Sequence, residues 1–240
     1  MRLLLGSGGF RTPERIALWV EQMRDWLGPA RSVLFVPYAL ADHDGYVRMM
    51  IERGLHSGYE LVGIHTLWDP VEAVRKAEAI FVGGGNTFRL LNSLYRLNLL
   101  DPIRERVRGG MPYLGISAGT NVACPTIRTT NDMPIVQPPS LDALGLVPFQ
   151  INAHYYTGTN FVKHGEQFVE HFGETRDDRI REFHEENETP VLGLWEGGIL
   201  RIEDANVQLL GSSARLFLKG KSSRDLVGGA RLPDLPCKPA

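Results

Sequence analysis

The sequence predicts an α/β fold built on a doubly wound, mostly parallel sheet. Short apolar runs alternate with capped helical segments through the first half of the chain. One of these runs, SVLFVP at residues 32–37, is almost wholly apolar, which is typical of a strand buried on both faces. Because parallel strands need helical crossovers, this alternation indicates helices on both faces of the sheet.

The predicted elements of this first half follow one another in order. Strands are predicted at residues 3–5, 32–37, 61–66, 79–82 and 113–116. The helices are predicted to begin at Thr12, at Asp42 or Asp44, at Asp69 with Pro70, at Asn86 or Thr87, and at Asp101 with Pro102. Each start offers a side chain that can accept a hydrogen bond from the first turn, and several add a proline suited to that turn.

The second half of the chain has a looser pattern. Prolines are frequent in residues 125–148 and favour a long ordered loop over a helix or a central strand. A charged helix is predicted at 174–186, and strand-like runs from 191 to 218 suggest a C-terminal antiparallel extension. The tail from about residue 228 is expected to be poorly ordered. We interpret residues 1–240 as a single α/β domain.

Charge and hydropathy argue against two classes of partner. The formal net charge is −2 and no stripe of lysine and arginine is present, so no nucleic-acid partner is expected. No segment approaches the roughly 18 to 20 apolar residues that span a bilayer, so no membrane association is expected. Cys124 and Cys237 fit a reducing compartment, and no signal-peptide pattern is seen, so we expect a cytoplasmic protein.

The pentad Gly115-Ile116-Ser117-Ala118-Gly119 has the pattern of a nucleophile elbow. An apolar strand runs into a serine between small residues, and a helix-capable segment follows directly. Such a turn projects the serine hydroxyl from the edge of the sheet. A Gly/Ser-rich turn that merely opens an ordinary helix is the alternative.

A serine nucleophile needs a base and an acid that orients the base. Of the seven histidines, His154 is the candidate base, because it follows the proline-rich loop where the chain is expected to re-enter the sheet. Glu196 follows an apolar strand and precedes two glycines, which makes it a candidate for the orienting acid. Asp132 is the competing candidate, and either carboxylate could instead cap a turn.

Backbone N–H groups near Ser117 could form an oxyanion hole. The candidates are the N–H of Ala118 and an N–H from Gly84 or Gly85, at the end of the neighbouring strand. The GGGN run at 83–86 is alternatively an anion or nucleotide loop, although it lacks the lysine of a phosphate-binding loop. No pair of histidines or cysteines has metal-ligand spacing, so no metal site is expected.

Longer stretches resemble the α-aspartyl dipeptidases, also called peptidase E, which are serine peptidases of family S51 on a class I glutamine amidotransferase-like fold. These stretches are VGGGNTFRLL (82–91), GISAGTNVACPTIRTTNDMPIV (115–136), QINAHY (150–155), GETRDDRIREF (173–183) and GLWEG (193–197). The resemblance implies hydrolysis of dipeptides with an N-terminal aspartate, without a metal or cofactor. It implies Ser117 as nucleophile, His154 as base and Glu196 as the orienting acid. Asp132 is the alternative acid, and Arg176 is expected to face the substrate aspartate carboxylate.

Some positions depart from the family pattern. Ile116 and Thr120 replace residues that are often tryptophan and alanine, and the N-terminal third matches poorly, which bears on substrate length and acceptor preference. The order serine, histidine, glutamate also differs from that of ordinary α/β-hydrolases. Asn86 is a second candidate for substrate binding.

The sequence is also compatible with two other functions. One is a cyanophycinase-like hydrolase that releases β-linked aspartyl dipeptides. The other is a non-catalytic domain that binds an anion or nucleotide through GGGN. For the preferred function, the expected partner is a small peptide substrate, and the chain is expected to be a monomer or homodimer.

Overall fold

The computed structural model describes residues 1–158, 160–232 and 235. In chain order, its strands are β1 (Arg2–Gly6), β2 (Ser32–Val36), β3 (Glu60–Gly63), β4 (Ile80–Val82), β5 (Tyr113–Ile116), β6 (Gln150–Tyr155), β7 (Asn160–His164), β8 (Gln167–His171), β9 (Val191–Trp195), β10 (Gly198–Glu203), β11 (Asn206–Gly211), β12 (Ala214–Phe217) and β13 (Arg224–Leu226). Its helices are α1 (Pro13–Leu27), α2 (His43–Glu52), α3 (Pro70–Lys76), α4 (Thr87–Arg96), α5 (Leu100–Arg108), α6 (Ala118–Asn121) and α7 (Arg176–Glu186), with a 3-10 turn at Ile64–Thr66.

The main sheet has seven strands in the order β11-β10-β1-β5-β4-β2-β3. The five strands from β1 to β3 in that order are parallel, and β10 and β11 add an antiparallel extension beside β1. This arrangement confirms the predicted α/β fold. It also places the ends of β1, β4 and β5 at one edge of the sheet, where ligands bind in open α/β sheets.

Both faces of the main sheet are buried, as the doubly wound architecture requires. Leu3 and Leu5 of β1 join one hydrophobic cluster, whereas Leu4 joins the other, because successive side chains of a strand point to opposite faces. Trp19 of α1 packs in the Leu4 cluster, and Leu90 of α4 packs in the opposite one. The helices therefore cover the sheet on both sides.

A second sheet has the order β13-β12-β9-β6, and β7 with β8 forms a separate hairpin. The strand that carries His154, β6, was expected to re-enter the main sheet, and this expectation is wrong. It pairs instead with β9, which follows about 40 residues later, so no local pattern contains the pairing. The hairpin was not predicted, and its Phe161 and Phe168 are exposed.

Most helix starts are confirmed, and their caps explain them. The side chains of Thr12, Asp42, Asp69 and Asn86 each accept a hydrogen bond from a backbone N–H in the first turn. The helix predicted to begin at Asp101 is present as α5, but it begins one residue earlier, at Leu100, and has no side-chain cap. The predicted strand at 61–66 ends at Gly63, where the 3-10 turn begins.

The first part of the tail is packed against the sheet, in contrast to the expected poor order from residue 228. The N–H of Leu232 donates to the carbonyl of Val207 on β11, and Leu235 is buried in the main core. The rest of the tail, including Cys237, lies outside the described residues. Among the residues that are described, no helix has the length and apolar character needed to cross a bilayer.

Gly119, in the turn that holds Ser117, allows β4 and α6 to approach each other closely. A Cβ at Gly119 would lie 2.1 Å from the carbonyl oxygen of Val82 on β4. The hydroxyl of Tyr113, fully buried in the core, donates to the carbonyl of Gly119 at 2.6 Å. The turn that holds the serine is therefore fixed by the close backbone contact with β4 and by the hydrogen bond from Tyr113.

Replacing this glycine should be costly. Gly119→Ala should lower the free energy of unfolding by about 3 kcal/mol, because the added methyl group must push β4 and α6 apart. Gly54→Ala is the control, since a Cβ there meets no atom within 4 Å. Only the left-handed backbone at this position (φ 68°) opposes a side chain, and this strain should lower the free energy of unfolding by about 1 kcal/mol. Urea unfolding followed by circular dichroism measures both values, and equal losses would contradict the close-approach argument.

Candidate active site

Ser117 lies at the junction of β5 and α6 in a strained backbone conformation. Its φ is 53° and its ψ is −108°, which is unusual for a residue with a side chain. Its N–H donates to the carbonyl of Gly6 at the end of β1, at 2.9 Å. This geometry is that of the strand-to-helix elbow predicted from the pentad, and it presents the serine hydroxyl at the sheet edge.

His154 and Glu196 extend from Ser117 in a continuous hydrogen-bonded chain. The Nε2 atom of His154 lies 2.7 Å from the Oγ of Ser117, and its Nδ1 lies 2.6 Å from Oε1 of Glu196. His154 is on β6, and Glu196 directly follows β9, so the parallel pairing of these two strands sets their separation. The structure thus brings together the serine, histidine and glutamate selected from the sequence.

Asp132 lies elsewhere, at the beginning of α4. Its Oδ2 accepts hydrogen bonds from the N–H of Thr87 at 2.8 Å, from the hydroxyl of Thr87 at 2.5 Å and from the hydroxyl of Thr130 at 3.1 Å. Across the described residues, no hydrogen bond joins Asp132 to His154. Its contacts tie the proline-rich loop to α4.

The glycine-rich turn after β4 runs directly beside Ser117. A Cβ at Gly84 would lie 3.1 Å from the Cβ of Ser117. Burial raises the pKa of Tyr46 to about 12, and the N–H of Gly84 acts on that hydroxyl in the opposite direction. Within the described part of the chain, the N–H groups of Gly85 and Ala118 have no acceptor. Both of these N–H groups are therefore open to a further acceptor.

Arg176 is a half-buried cation at the first position of α7. Its guanidinium lies over the ring of Tyr156, 5.2 Å from the centroid, and its Nε is buried without a hydrogen-bond partner. Burial lowers the pKa of Arg176, while Tyr156 and Asp132 act to raise it. No ion pair joins it to a carboxylate in residues 1–158, 160–232 or 235, and Asp177 pairs with Arg215 instead. Arg176 thus lies near Asp132 without forming an ion pair within the described part of the chain.

The side chain of Asn86 is occupied by structural contacts. Its Oδ1 caps α4 by accepting from the N–H of Arg89 at 3.0 Å, and its Nδ2 donates to the carbonyl of Met133 at 2.9 Å. These bonds fix the residues that neighbour Asp132. Cys124 is buried, and burial raises the pKa of its thiol to about 12, as for an unreactive thiol packed in the core.

Residues 6–9 were not predicted to belong to the site, yet they pack against all three members of the Ser-His-Glu chain. Beyond the bond from Ser117 to Gly6, the carbonyl of Gly8 accepts from the N–H of Gly197, next to Glu196, at 2.8 Å. A Cβ at Gly8 would lie 2.7 Å from Cε1 of His154, and one at Gly9 only 1.6 Å from Oε2 of Glu196. The sequence signal of residues 6–9 was the GSGG run after a strand that ends at the same sheet edge as the elbow.

Groups of three or more potential metal ligands are absent from the described residues. The Ser-His-Glu chain has the connectivity that nucleophilic catalysis uses: a hydroxyl, a base within hydrogen-bond reach and a carboxylate that orients the base. The geometry of the site is therefore that of a serine hydrolase.

Comparison with known proteins gives the family. The model of peptidase family S51 matches residues 2–210. Peptidase E of Streptomyces coelicolor is 48% identical over 217 residues, which are 90% of this chain and 86% of that protein. A probable alpha-aspartyl dipeptidase of Drosophila melanogaster is 50% identical over 207 residues, 85% of this chain and 82% of that protein. The chain belongs to peptidase family S51, as its resemblance to the α-aspartyl dipeptidases predicted.

Solved structures share the fold. A peptidase from an acI-B1 actinobacterium superposes with a TM-score of 0.67 at 17% identity, covering 96% of each chain. A putative peptidase E from Listeria monocytogenes gives a TM-score of 0.61 at 22% identity, covering 94% of this chain and 98% of the other. At these identities the likeness concerns the architecture alone.

Proposed function

We propose that the protein is a serine dipeptidase that hydrolyses dipeptides with an N-terminal aspartate through an acyl-enzyme. The observation that carries this proposal is the hydrogen-bonded chain from Ser117 through His154 to Glu196. The names of its relatives, peptidase E and probable alpha-aspartyl dipeptidase, support the reaction and the substrate class. A cytoplasmic location, as the two-cysteine composition suggests, is part of the proposal.

In the proposed mechanism, the Oγ of Ser117 attacks the carbonyl carbon of the aspartyl residue while Nε2 of His154 accepts the hydroxyl proton. The carboxylate of Glu196 accepts a hydrogen bond from Nδ1–H and stabilises the imidazolium that forms. His154 then gives the proton to the departing amine, which leaves the aspartyl group esterified to Ser117. Water, activated by the same imidazole, hydrolyses the ester and restores the serine.

The oxyanion of each tetrahedral intermediate needs two N–H donors. In this proposal the N–H of Ala118 is the first donor, because Ala118 directly follows the nucleophile in the chain. The second comes from the turn at Gly84 or Gly85. The open N–H of Gly85 supports that residue, because the N–H of Gly84 interacts with Tyr46.

Two neighbouring opposite charges, Arg176 and Asp132, suit the two charges of an N-terminal aspartate. Arg176 would bind the side-chain carboxylate, since it is half-buried and lacks an ionic partner among the described residues. Asp132 would bind the substrate ammonium group, because only its Oδ2 is engaged in hydrogen bonds. Asn86 contributes by holding Met133, and hence the loop at Asp132, against α4.

The first test is the nucleophile itself. Ser117→Ala should abolish hydrolysis of Asp-X dipeptides without unfolding the protein, because the turn is held by backbone contacts rather than by the hydroxyl. A fluorophosphonate probe should label the wild type at Ser117 and leave the variant unlabelled, and EDTA should not change the wild-type rate. Activity within tenfold of wild type in the variant would overturn the mechanism. Parallel assays with iso-Asp-X peptides and β-linked aspartyl polymers separate this function from a cyanophycinase-like one.

The two carboxylates should respond differently to replacement by amides. Glu196→Gln should lower kcat by about 10³- to 10⁴-fold, because an amide at this position favours the wrong tautomer of His154. Asp132→Asn should act mainly on KM, because it weakens binding of the substrate ammonium group. Steady-state kinetics with one Asp-X substrate compares the two variants. A larger kcat loss in Asp132→Asn, with unchanged stability, would reverse the two assignments.

Arg176 should determine specificity for aspartate. Arg176→Ala should cost about 2 to 5 kcal/mol in kcat/KM for Asp-X, the scale of removing one partner from a desolvated charge pair. Arg179→Ala on the same helix is the matched control, since Arg179 pairs with Glu174 at the surface and should lose little. The fluorophosphonate labelling rate of Arg176→Ala should stay near wild type. Equal kinetic losses in the two variants would reduce Arg176 to a structural role.

A further inference from the structure

Ser7 is a fully buried residue that contacts both β6, which carries His154, and β9, which Glu196 directly follows. Its relative exposure is 0%. Its hydroxyl donates to the carbonyl of Leu194 on β9 at 2.8 Å, and its Oγ accepts from the N–H of His154 on β6 at 2.9 Å. Ser7 itself directly follows β1, and its N–H continues the pairing of that strand by donating to the carbonyl of Gly198. One hydroxyl therefore connects the main sheet to the second sheet.

The backbone at His154 explains why this contact matters. Its φ is 55°, a left-handed conformation that is strained for a residue with a side chain. The pairing of β6 with β9 shifts here: Ala153 pairs with Leu194 and Tyr155 with Trp195, so His154 is the extra residue of a bulge. The bulge removes the N–H of His154 from the ladder, and Ser7 supplies the acceptor that the ladder lacks.

We propose that Ser7 is a positioning residue for the hydrolytic reaction: it fixes the strained backbone of His154 so that the imidazole reaches both Ser117 and Glu196. This inference rests on the proposed function of His154 as the base. Because Ser7 also binds the carbonyl of Leu194, two residues before Glu196, the same hydroxyl sets the base and its orienting carboxylate relative to each other. Alanine at this position loses both bonds and leaves the N–H of His154 buried without an acceptor.

A purely structural role for Ser7 makes a different prediction, and a matched control separates the two. Thr129 is also buried, and its hydroxyl donates at 3.2 Å to the carbonyl of Ile151 on β6, three residues before His154. Thr129→Val removes that hydroxyl with little change in shape and does not touch the bulge. If only the attachment of β6 matters, Ser7→Ala and Thr129→Val should behave alike.

The experiment measures kcat and KM for an Asp-X dipeptide, the rate at which a fluorophosphonate labels Ser117, and the melting temperature. Ser7→Ala should lower kcat and the labelling rate by about 10²-fold, the scale of a misplaced catalytic group. Its KM should stay within about threefold, since Ser7 lies beneath the base rather than beside the substrate. Thr129→Val should keep wild-type values of kcat and labelling, whatever its melting temperature.

The controls keep each outcome decisive. Ser7→Cys preserves the size of the side chain but weakens both hydrogen bonds, so it should fall between wild type and alanine, and it replaces Ser7→Ala if that variant does not fold. The inference is overturned if the labelling rate and kcat of the Ser7 variants stay within threefold of wild type. It is also overturned if their losses equal those of Thr129→Val. In either case, labelling of the wild type at Ser117 leaves the proposed function intact. Absence of labelling in the wild type overturns both.

Discussion

The close passage of residues 6–9 beneath the site is the constraint on which the rest of the arrangement depends. The carbonyls of Gly6 and Gly8 and the hydroxyl of Ser7 together accept N–H groups from the segments of Ser117, His154 and Glu196. This passage requires glycine at positions 8 and 9, since a Cβ at either would overlap the imidazole or the carboxylate. The site is therefore organised by two main-chain carbonyls and one buried hydroxyl that lie behind it.

Two residues of the site are held in backbone conformations that side chains disfavour. Ser117 and His154 both have positive φ, and strain of this kind persists only where surrounding contacts over-determine it. At Ser117 the contacts come from Gly6, from the close approach of Gly119 to β4 and from the turn at Gly84. At His154 they come from Ser7. Both strained residues thus depend on the end of β1, which explains how distant chain segments hold one geometry.

The proline-rich loop has a complementary role on the other side of the site. Asn131 donates to the carbonyl of Ala153, and Asn152 donates to the carbonyl of Thr129, so the loop is fastened to β6. Asp132 and Asn86 fasten it to α4. These hydrogen bonds attach the loop, and with it Asp132, to both α4 and β6.

The sequence predicted the parts of this architecture that local patterns encode. Apolar runs and caps located the strands and helices around the elbow, and the residue types at Ser117, His154 and Glu196 indicated a nucleophile, a base and an acid. The start of α5 was predicted one residue late, because the helix begins without a side-chain cap. The second sheet and the contacts of Ser7 could not be predicted, because they depend on pairings between residues far apart in the chain.

Because β1 lies between β5 and β10, the site can be assembled only after most of the chain has been synthesised. Leu3 pairs with Tyr113 on one side and with Ile202 on the other, so the last of these pairings closes a loop of about 200 residues. As the chain emerges from the ribosome, the turn at Ser117 is complete long before the strand that precedes Glu196 exists. A nascent chain that has reached Ser117 therefore still lacks the glutamate that the proposed mechanism requires.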